Sequence, residues 1–299
     1  MAAEAAGSTA LKRGAPPASR RRWVLAGIVV AAVLAALALD AHLSGLLPQK
    51  GGLELVQRFF ARALSPAFTH EGEVPDDAPP LLVSALVAMR RTVVFAVAAM
   101  SLALVGGIVL GFLGSTAWWS DERARGRGPA ARAFYRAFAP AIWGAARVVI
   151  VAMRSVHELL WAVLFLAALG LNNVAAVVAI AIPYAGTLAK VFSEMLDEAP
   201  RDAALALRGA GATNLQVFAL GLLPRALPDM CAYAFYRLEC AVRSAAILGF
   251  FGFPTLGYSI SASFENLHYG EVWTYLYALC ALVLGVEAWS GALRRRFVA

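Results

Sequence analysis

Residues 202–224 read DAALALRGAGATNLQVFALGLLP and stand between long apolar runs. Just ahead of them, Pro200 suits the first turn of a helix, where a missing N–H leaves nothing unpaired. Arg201 to Ala210 is rich in Ala and Leu, which are strong helix formers. Gly209 and Gly211 then supply a glycine stop. Thr213-Asn214-Leu215-Gln216 has capping-box form, a hydroxyl followed three residues later by Gln, and a second helix runs on to Pro224. Two short helices with a glycine corner predict a rigid knob at a membrane surface over 197–224. Connectors of more than about a dozen residues usually carry structure or function, so this one is expected to touch a partner.

The rest of the 299-residue chain sets the membrane context. It is 61% hydrophobic and only 15% charged, against about 25% charged for an ordinary soluble domain. The net charge of +7 is gathered beside apolar runs. Lys12, Arg13, Arg20, Arg21 and Arg22 precede the first run, Arg123, Arg125, Arg127, Arg132 and Arg136 fill one connector, and Arg294, Arg295 and Arg296 follow the last. Basic clusters flanking spans set orientation by the positive-inside rule. No basic stripe interleaved with aromatics is present, so nucleic acid is not an expected partner. Cys231, Cys240 and Cys280 lie in apolar runs without C-x-x-C spacing and read as small buried hydrophobes.

Read along the chain, 1–22 is a disordered cytoplasmic tail and 23–40 a first transmembrane helix. Ser19-Arg20-Arg21 followed by Trp23 to Leu39 also fits a twin-arginine or secretory signal, but the multi-span body that follows favours a retained span. Residues 41–80, with Glu71, Glu73, Asp76, Asp77 and three prolines, form an outer segment. The body at 81–295 begins with a span over Thr92–Leu113, whose Gly106, Gly107 and Gly111 suit close helix packing. Arg90 and Arg91 would then lie beyond its outer end and snorkel to headgroups. The run 141–171, interrupted by Arg147 and by Arg154-Ser155-Val156-His157-Glu158, is too long for one simple span. It is expected to enter as an interfacial helix and continue into a span ending near Leu171. Asn172-Asn173 makes an outer turn, and Val174–Phe192 forms a span with a kink at Pro183. Ala226–Phe250 and Val272–Leu293 complete six spans, with an outer loop that has room for a re-entrant piece between them and both termini inside.

The loop resembles the signature of the membrane permeases of bacterial ABC importers, Glu-Ala-Ala, three residues, Gly, then an apolar stretch ending in Leu-Pro. Gly211 to Leu223-Pro224 matches that spacing. The chain is similar to the phosphonate-type permease family in several further motifs, taken in order. They are Arg154-Ser155-Val156-His157-Glu158-Leu159-Leu160-Trp161-Ala162, Phe192-Ser193-Glu194, Ala206-Leu207-Arg208, Tyr236-Arg237-Leu238-Glu239, Val242-Arg243-Ser244 and Leu248-Gly249. The resemblance covers roughly residues 80–295. It departs at Leu205, where the family has Glu and Asp202 is the nearest acid; at His157, where the family has Pro; and at Gly252 to Gly257, which replace a Gly-Ala-Gly-Gly-Ile-Gly run. The resemblance implies an all-α, polytopic membrane protein of the type I ABC importer permease fold, with about six transmembrane helices and a cytoplasmic coupling helix. It implies two ABC ATPase subunits docked on Asp202, Leu205, Arg208, Gly209, Gly211, Asn214 and Pro224, a second permease copy in a homo- or heterodimer, and a periplasmic or surface solute-binding protein. The chain has no G-x-x-x-x-G-K-[ST] loop, so a separate subunit is expected to hydrolyse ATP; no catalytic residue, metal or cofactor is expected.

Charges inside apolar helices should face a partner or water. Arg237, Glu239, Arg243 and Ser244 are the candidates for a solute path. Arginine suits a phosphorus oxyanion because its fork bonds two oxygens at once. Glu239 and Arg243, at i,i+4 with the acid first, are expected to pair, and a purely structural role in fixing helix packing is the alternative for the group. Expected, then, is a multi-pass permease of the cytoplasmic (inner) membrane, in contact with lipid, that carries phosphonate or a relative. A permease for another small solute, an amino acid or a quaternary amine, and a secondary transporter are the competing readings. A membrane-embedded enzyme has no clustered acids, histidines or nucleophiles to support it, since His42, His70, His157 and His268 are scattered.

Overall fold

With no water in a bilayer core to satisfy N–H and C=O groups, a chain this apolar must pair its backbone within helices. The computed structural model describes residues 18–39, 51–75, 77–117, 119 and 129–297, and its regular structure there is helical throughout. The expectations for the first 17 residues, for 40–50 and for the basic connector at 120–128 fall outside the described residues. The chain divides into two units, Met1–Arg58 and Phe59–Ala299. In the first, α1 (Ala18–Ala38) is a 21-residue apolar helix, long enough to cross a membrane. A second helix, α2 (Gly52–Ala61), leads from it into the second unit.

The second unit is built on α3 (Leu81–Gly114) and α6 (Asn173–Glu198). They lie against each other in parallel through glycines. A Cβ on Gly107 would stand 2.7 Å from the Leu188 Cβ, and one on Gly111 3.1 Å from both the Ala189 carbonyl and the Phe192 Cβ. The small-residue positions named from sequence are therefore the contact itself. Helix α3 starts eleven residues before the expected span, because Pro80 ends the extended segment and Leu81, Ala85 and Ala88 are buried against Leu256 and Tyr275. Arg90 and Arg91 consequently sit within α3, not beyond its end.

The run 141–171 forms α4 (Pro129–Ser155) and α5 (Glu158–Leu169), broken at Val156-His157. Helix α4 is long and apolar enough to cross alone, but its neighbours place the break inside the bundle. Arg147 reaches Asp197 near the end of α6, a Cβ on Gly186 would lie 2.8 Å from the Met153 Cβ, and Glu158 meets the side chains around Tyr184. From Arg147 to Ser155 is about 12 Å and α5 adds about 18 Å, together the length of a ~30 Å apolar slab. At the far end, Gly170 (φ +74) turns the chain and Asn172 caps α6, its Oδ1 accepting the Ala175 N–H at 2.8 Å. Helix α6 continues through Pro183, and the Thr187 hydroxyl donates to the Pro183 carbonyl at 2.9 Å.

After the loop, α9 (Leu223–Ile247) and α10 (Leu256–Glu265) follow as a helix pair bent by 41° at its break, the form of a broken span or of a re-entrant loop. Thr92, fully buried, accepts the Leu256 N–H at 3.0 Å, and the Thr255 hydroxyl donates to the Ala246 carbonyl at 3.1 Å. The region expected as an outer loop with room for a re-entrant piece is thus largely helical. Helix α11 (Tyr269–Phe297) completes the unit. Residues 59–80 are tied to its start: the Ala67 N–H donates to the Gly270 carbonyl (3.1 Å), and Glu71 and Glu271 each accept a backbone N–H from the other segment, at 3.0 and 2.8 Å. Phe59, Phe60, Phe264, Tyr269, Trp273 and Tyr277 cluster there, as aromatic side chains do at a membrane interface.

At the α9–α10 bend a Cβ on Gly257 would lie 2.0 Å from the Ala246 carbonyl oxygen, whereas one on Gly144 would meet nothing within 4 Å. Gly257→Ala should therefore cost at least the ~3 kcal/mol of severe overpacking, and Gly144→Ala should be neutral or stabilising. Yield of monodisperse protein and its melting midpoint check both.

Candidate functional site

The loop at 197–224 folds as its residues dictate. Helix α7 (Asp202–Gly209) ends in a Schellman motif with Gly211 at φ +82. The Ala212 N–H donates to the Leu207 carbonyl and the Gly211 N–H to the Arg208 carbonyl, both at 3.0 Å. Asn214 opens α8 (Asn214–Gln216), behind a reciprocal capping box. The Thr213 N–H donates to Gln216 Oε1 at 2.8 Å, and the Gln216 N–H reaches Thr213 Oγ1 at 3.4 Å.

From Val217 to Leu222 the chain widens to π-helical turns, which join α8 to α9 without a break; Pro224 lies in the first turn of α9 and is exposed. The widened turns bury Val217, Phe218 and Leu222. Phe218 meets Phe112 edge to face, centroids 5.1 Å apart. Gly221 lets α7 come close: a Cβ there would lie 3.1 Å from the Ala204 Cα. So Ala204 and Leu207 seat α7 on the bundle while Asp202, Leu205, Ala206, Gly209 and Gly211 face outward. Leu205, Leu215 and Leu220 are 58%, 63% and 66% exposed. Arg208 is half-buried.

Beneath this knob lies a polar clamp that the sequence did not announce. Asp197, at the end of α6, accepts from the Ser115 hydroxyl at 2.7 Å and the Ala117 N–H at 2.9 Å, and pairs with Arg147 of α4 at 3.7 Å. The Trp143 indole N–H donates to the Gly114 carbonyl at 3.0 Å and that of Trp119 to Leu113 at 2.7 Å, capping the end of α3. Arg147 stacks 5.5 Å above the Trp143 ring. Three helices are thus fixed to one another where the loop leaves them.

The path candidates divide. Ser244 is buried and central. The Tyr184 hydroxyl donates to it at 2.9 Å, and its own hydroxyl donates to Glu158 Oε1 at 2.9 Å, which joins α6, α9 and α5. The Arg237 guanidinium lies 4.3 Å above the Tyr184 ring. His157, at φ −66, takes the place of a proline without strain and caps α5, its Nδ1 accepting the Leu159 N–H at 3.3 Å. Glu239 does not pair with Arg243. It is buried and pairs with Arg294 of α11 at 3.2 Å, while Arg243 is exposed and turns back to Cys240 Sγ at 3.3 Å. The i,i+4 spacing offered a partner on the same helix, but Glu239 faces α11 and Arg243 does not. Among the described residues, no carboxylate pairs with Arg237 or Arg243, and none of the His, Cys, Asp and Glu groups could hold a metal ion.

Residues 130–297, from α4 to the end of α11, match the family described as the binding-protein-dependent transport system inner membrane component. The chain belongs to that family. The phosphite transport system permease protein PtxC of Stutzerimonas stutzeri is 37% identical over 161 residues, 53% of this chain and 58% of PtxC. The phosphate-import permease protein PhnE of Mycolicibacterium smegmatis is 31% identical over 159 residues, 53% of this chain and 30% of that protein. This member of the family therefore matches little more than half the length of PtxC and under a third of that PhnE. A crystal structure of an amino acid ABC transporter superposes with a TM-score of 0.58 at 15% identity, over 72% of this chain and 94% of that one. An inward-facing MetNI methionine ABC transporter gives 0.53 at 22%, over 72% and 97%. These likenesses establish the fold, an all-helical ABC permease fold in a multi-pass membrane protein.

Asp197→Ala would leave the Ser115 hydroxyl and Arg147 without their acceptor, and the Ala117 N–H with only its 3.2 Å bond to Ser115 Oγ. A loss of about 1–3 kcal/mol is expected, as for a buried polar group left unsatisfied. Thermal unfolding in detergent should show it, with Ser115→Ala clearly milder.

Proposed function

We propose that the chain is the permease subunit of an ABC importer and moves a small phosphorus oxyanion across the cytoplasmic membrane. The observation that carries the reading is the knob. Helix α7 is stopped by Gly211, seated on Gly221 and turned outward with Leu205 uncovered, at the point where Asp197 clamps α3, α4 and α6. Such a stiff element can receive a push from an ATPase and pass it to the spans, where a floppy connector would absorb it. Two ATPase subunits, a second permease copy and a solute-binding protein complete the assembly. The orientation that serves it places the loop and both termini on the cytoplasmic side, in line with the arginines at 20–22 and 294–296.

The solute assignment rests on two supports. PtxC is named for phosphite and the mycobacterial PhnE for phosphate. In this chain, Arg237 is a half-buried guanidinium facing an aromatic ring, with no carboxylate paired to it among the described residues, beside the hydroxyls of Tyr184 and Ser244. A passing oxyanion would meet a charge-assisted donor there. Arg243, exposed on the single chain, would line the path only once a second copy faces it.

Cysteine at Leu205 should crosslink to the ATPase subunit in the assembled complex, and cysteine at buried Ala204 should not. Absence of any crosslink from Leu205 in every nucleotide state would remove the docking assignment. Reconstituted with its ATPase and binding protein, the permease should take up phosphite or phosphonate on ATP addition, and an ion gradient should not drive that uptake. Arg237→Gln should slow uptake about tenfold, the worth of one charge-assisted bond, with assembly intact. Preferred uptake of methionine or a quaternary amine would overturn the solute assignment and leave the permease reading standing.

A further inference from the structure

Arg90 and Arg91 have no role in the knob or in the Tyr184 cluster. Both are exposed, and among the described residues neither has an ion pair. They line a cavity of about 650 Å³ together with Asn173. Val94 and Ala98, one and two turns further along α3, and Val177, one turn along α6, wall the same cavity. In the parallel register that sets Gly106 beside Ala185, Val94 lies level with Asn173 and Ala98 with Val177, all on the loop side of the two arginines. The cavity therefore has a cationic end and a carbon-lined end. Twenty residues of α6 from Asn173 span about 30 Å and reach Phe192, close to the Asp197 clamp, so the cationic end lies at the far edge of the apolar slab. The start of α6 adds the positive end of a helix dipole there.

We propose that this cavity is a binding site for a membrane phospholipid. Arg90 and Arg91 hold its phosphate, and its acyl chains lie on Val94, Ala98 and Val177. A forked guanidinium bonds two phosphate oxygens, and two of them carry more charge than one phosphodiester balances. An anionic headgroup such as phosphatidylglycerol is accordingly preferred to a zwitterionic one, whose own cation would face the arginines. A free inorganic oxyanion fits less well. It fills the space of only a few waters, ~30 Å³ each, and would leave most of the cavity as water against carbon. The site is independent of which solute the permease carries.

The test uses the full chain in detergent, titrated at constant ionic strength with dihexanoylphosphatidylglycerol, dihexanoylphosphatidylcholine or inorganic phosphate. Melting midpoint and native mass spectrometry are the readouts. The glycerol lipid should raise the midpoint and bind as a discrete adduct, the choline lipid should do so more weakly, and phosphate should do neither. Arg90→Gln with Arg91→Gln should weaken the glycerol lipid about tenfold, and the Lys/Lys pair should restore part of it. Ala98→Trp fills the apolar end without touching the arginines. It should abolish lipid binding, whereas a free-oxyanion site would tolerate it. A wild-type response to phosphate equal to that to the glycerol lipid would overturn the proposal, and so would unchanged lipid binding in the Gln/Gln or the Trp variant. If the Gln/Gln protein does not fold, the wild-type titration and Ala98→Trp decide alone.

Discussion

The close approach of α3 to α6 is the constraint on which the rest of the second unit depends. Lipid tails are as apolar as leucine, so helices inside a bilayer gain little by burying apolar surface against one another. What holds them is dispersion at short range, and that falls steeply with a gap of even half an ångström. Gly106, Gly107, Gly111 and Gly114 remove side chains from one face of α3, and the alanines of α6 fill the opposite face. Helix α6 becomes the central post, with most of its apolar stretch buried. Its middle carries Tyr184 and its end carries Asp197. Both polar clusters hang on one helix, held in place by atoms that are not there.

The polar groups then show how a helix bundle tolerates interruption. A break such as Val156-His157 frees backbone groups where no water reaches them cheaply. Here the residues at the break repair it: His157 accepts from the Leu159 N–H, and Glu158 takes the Ser244 hydroxyl. The bend between α9 and α10 is repaired in the same way by Thr92 and Thr255. In both places a local defect in one helix is turned into a bond to another, so the irregular points of the chain are also the points at which its helices are fastened together.

How much of this was legible in the sequence depends on range. Signals contained within a few residues came through intact. The Thr213–Gln216 box, the Gly211 stop and the Asn172 turn all fold as their local chemistry dictates. Contacts between distant segments did not. Spacing on one helix suggested Arg243 for Glu239, and the true partner, Arg294, lies 55 residues on, by its numbering. The Asp197 clamp gathers Ser115 and Ala117 from one distant segment and Arg147 from another, none with a motif of its own. The start of α3 was hidden because two arginines look like the edge of a span. Only the packing of Leu81 and Ala85 on Tyr275 shows that the helix runs past them.

The placement of charge in the bundle separates what is structural from what can act on a solute. An acid and a base that find each other in a low-dielectric interior offer little to a passing ion, since their fields cancel at short range. Glu239 and Arg294 are in that position, as are Asp197 and Arg147. Arg237 is different. Its charge is met by the face of Tyr184, which attracts a cation without neutralising it. An aromatic face contributes roughly 0.5–2 kcal/mol, enough to hold the guanidinium in place but less than a desolvated carboxylate would claim from it. The fork of the arginine therefore keeps its affinity for an oxyanion. Tyr184 in turn is fixed by Ser244 and, through it, by Glu158. A cation held by a ring, and paired with no carboxylate among the described residues, would be free to bind an anion and to release it, as the proposed transport path needs.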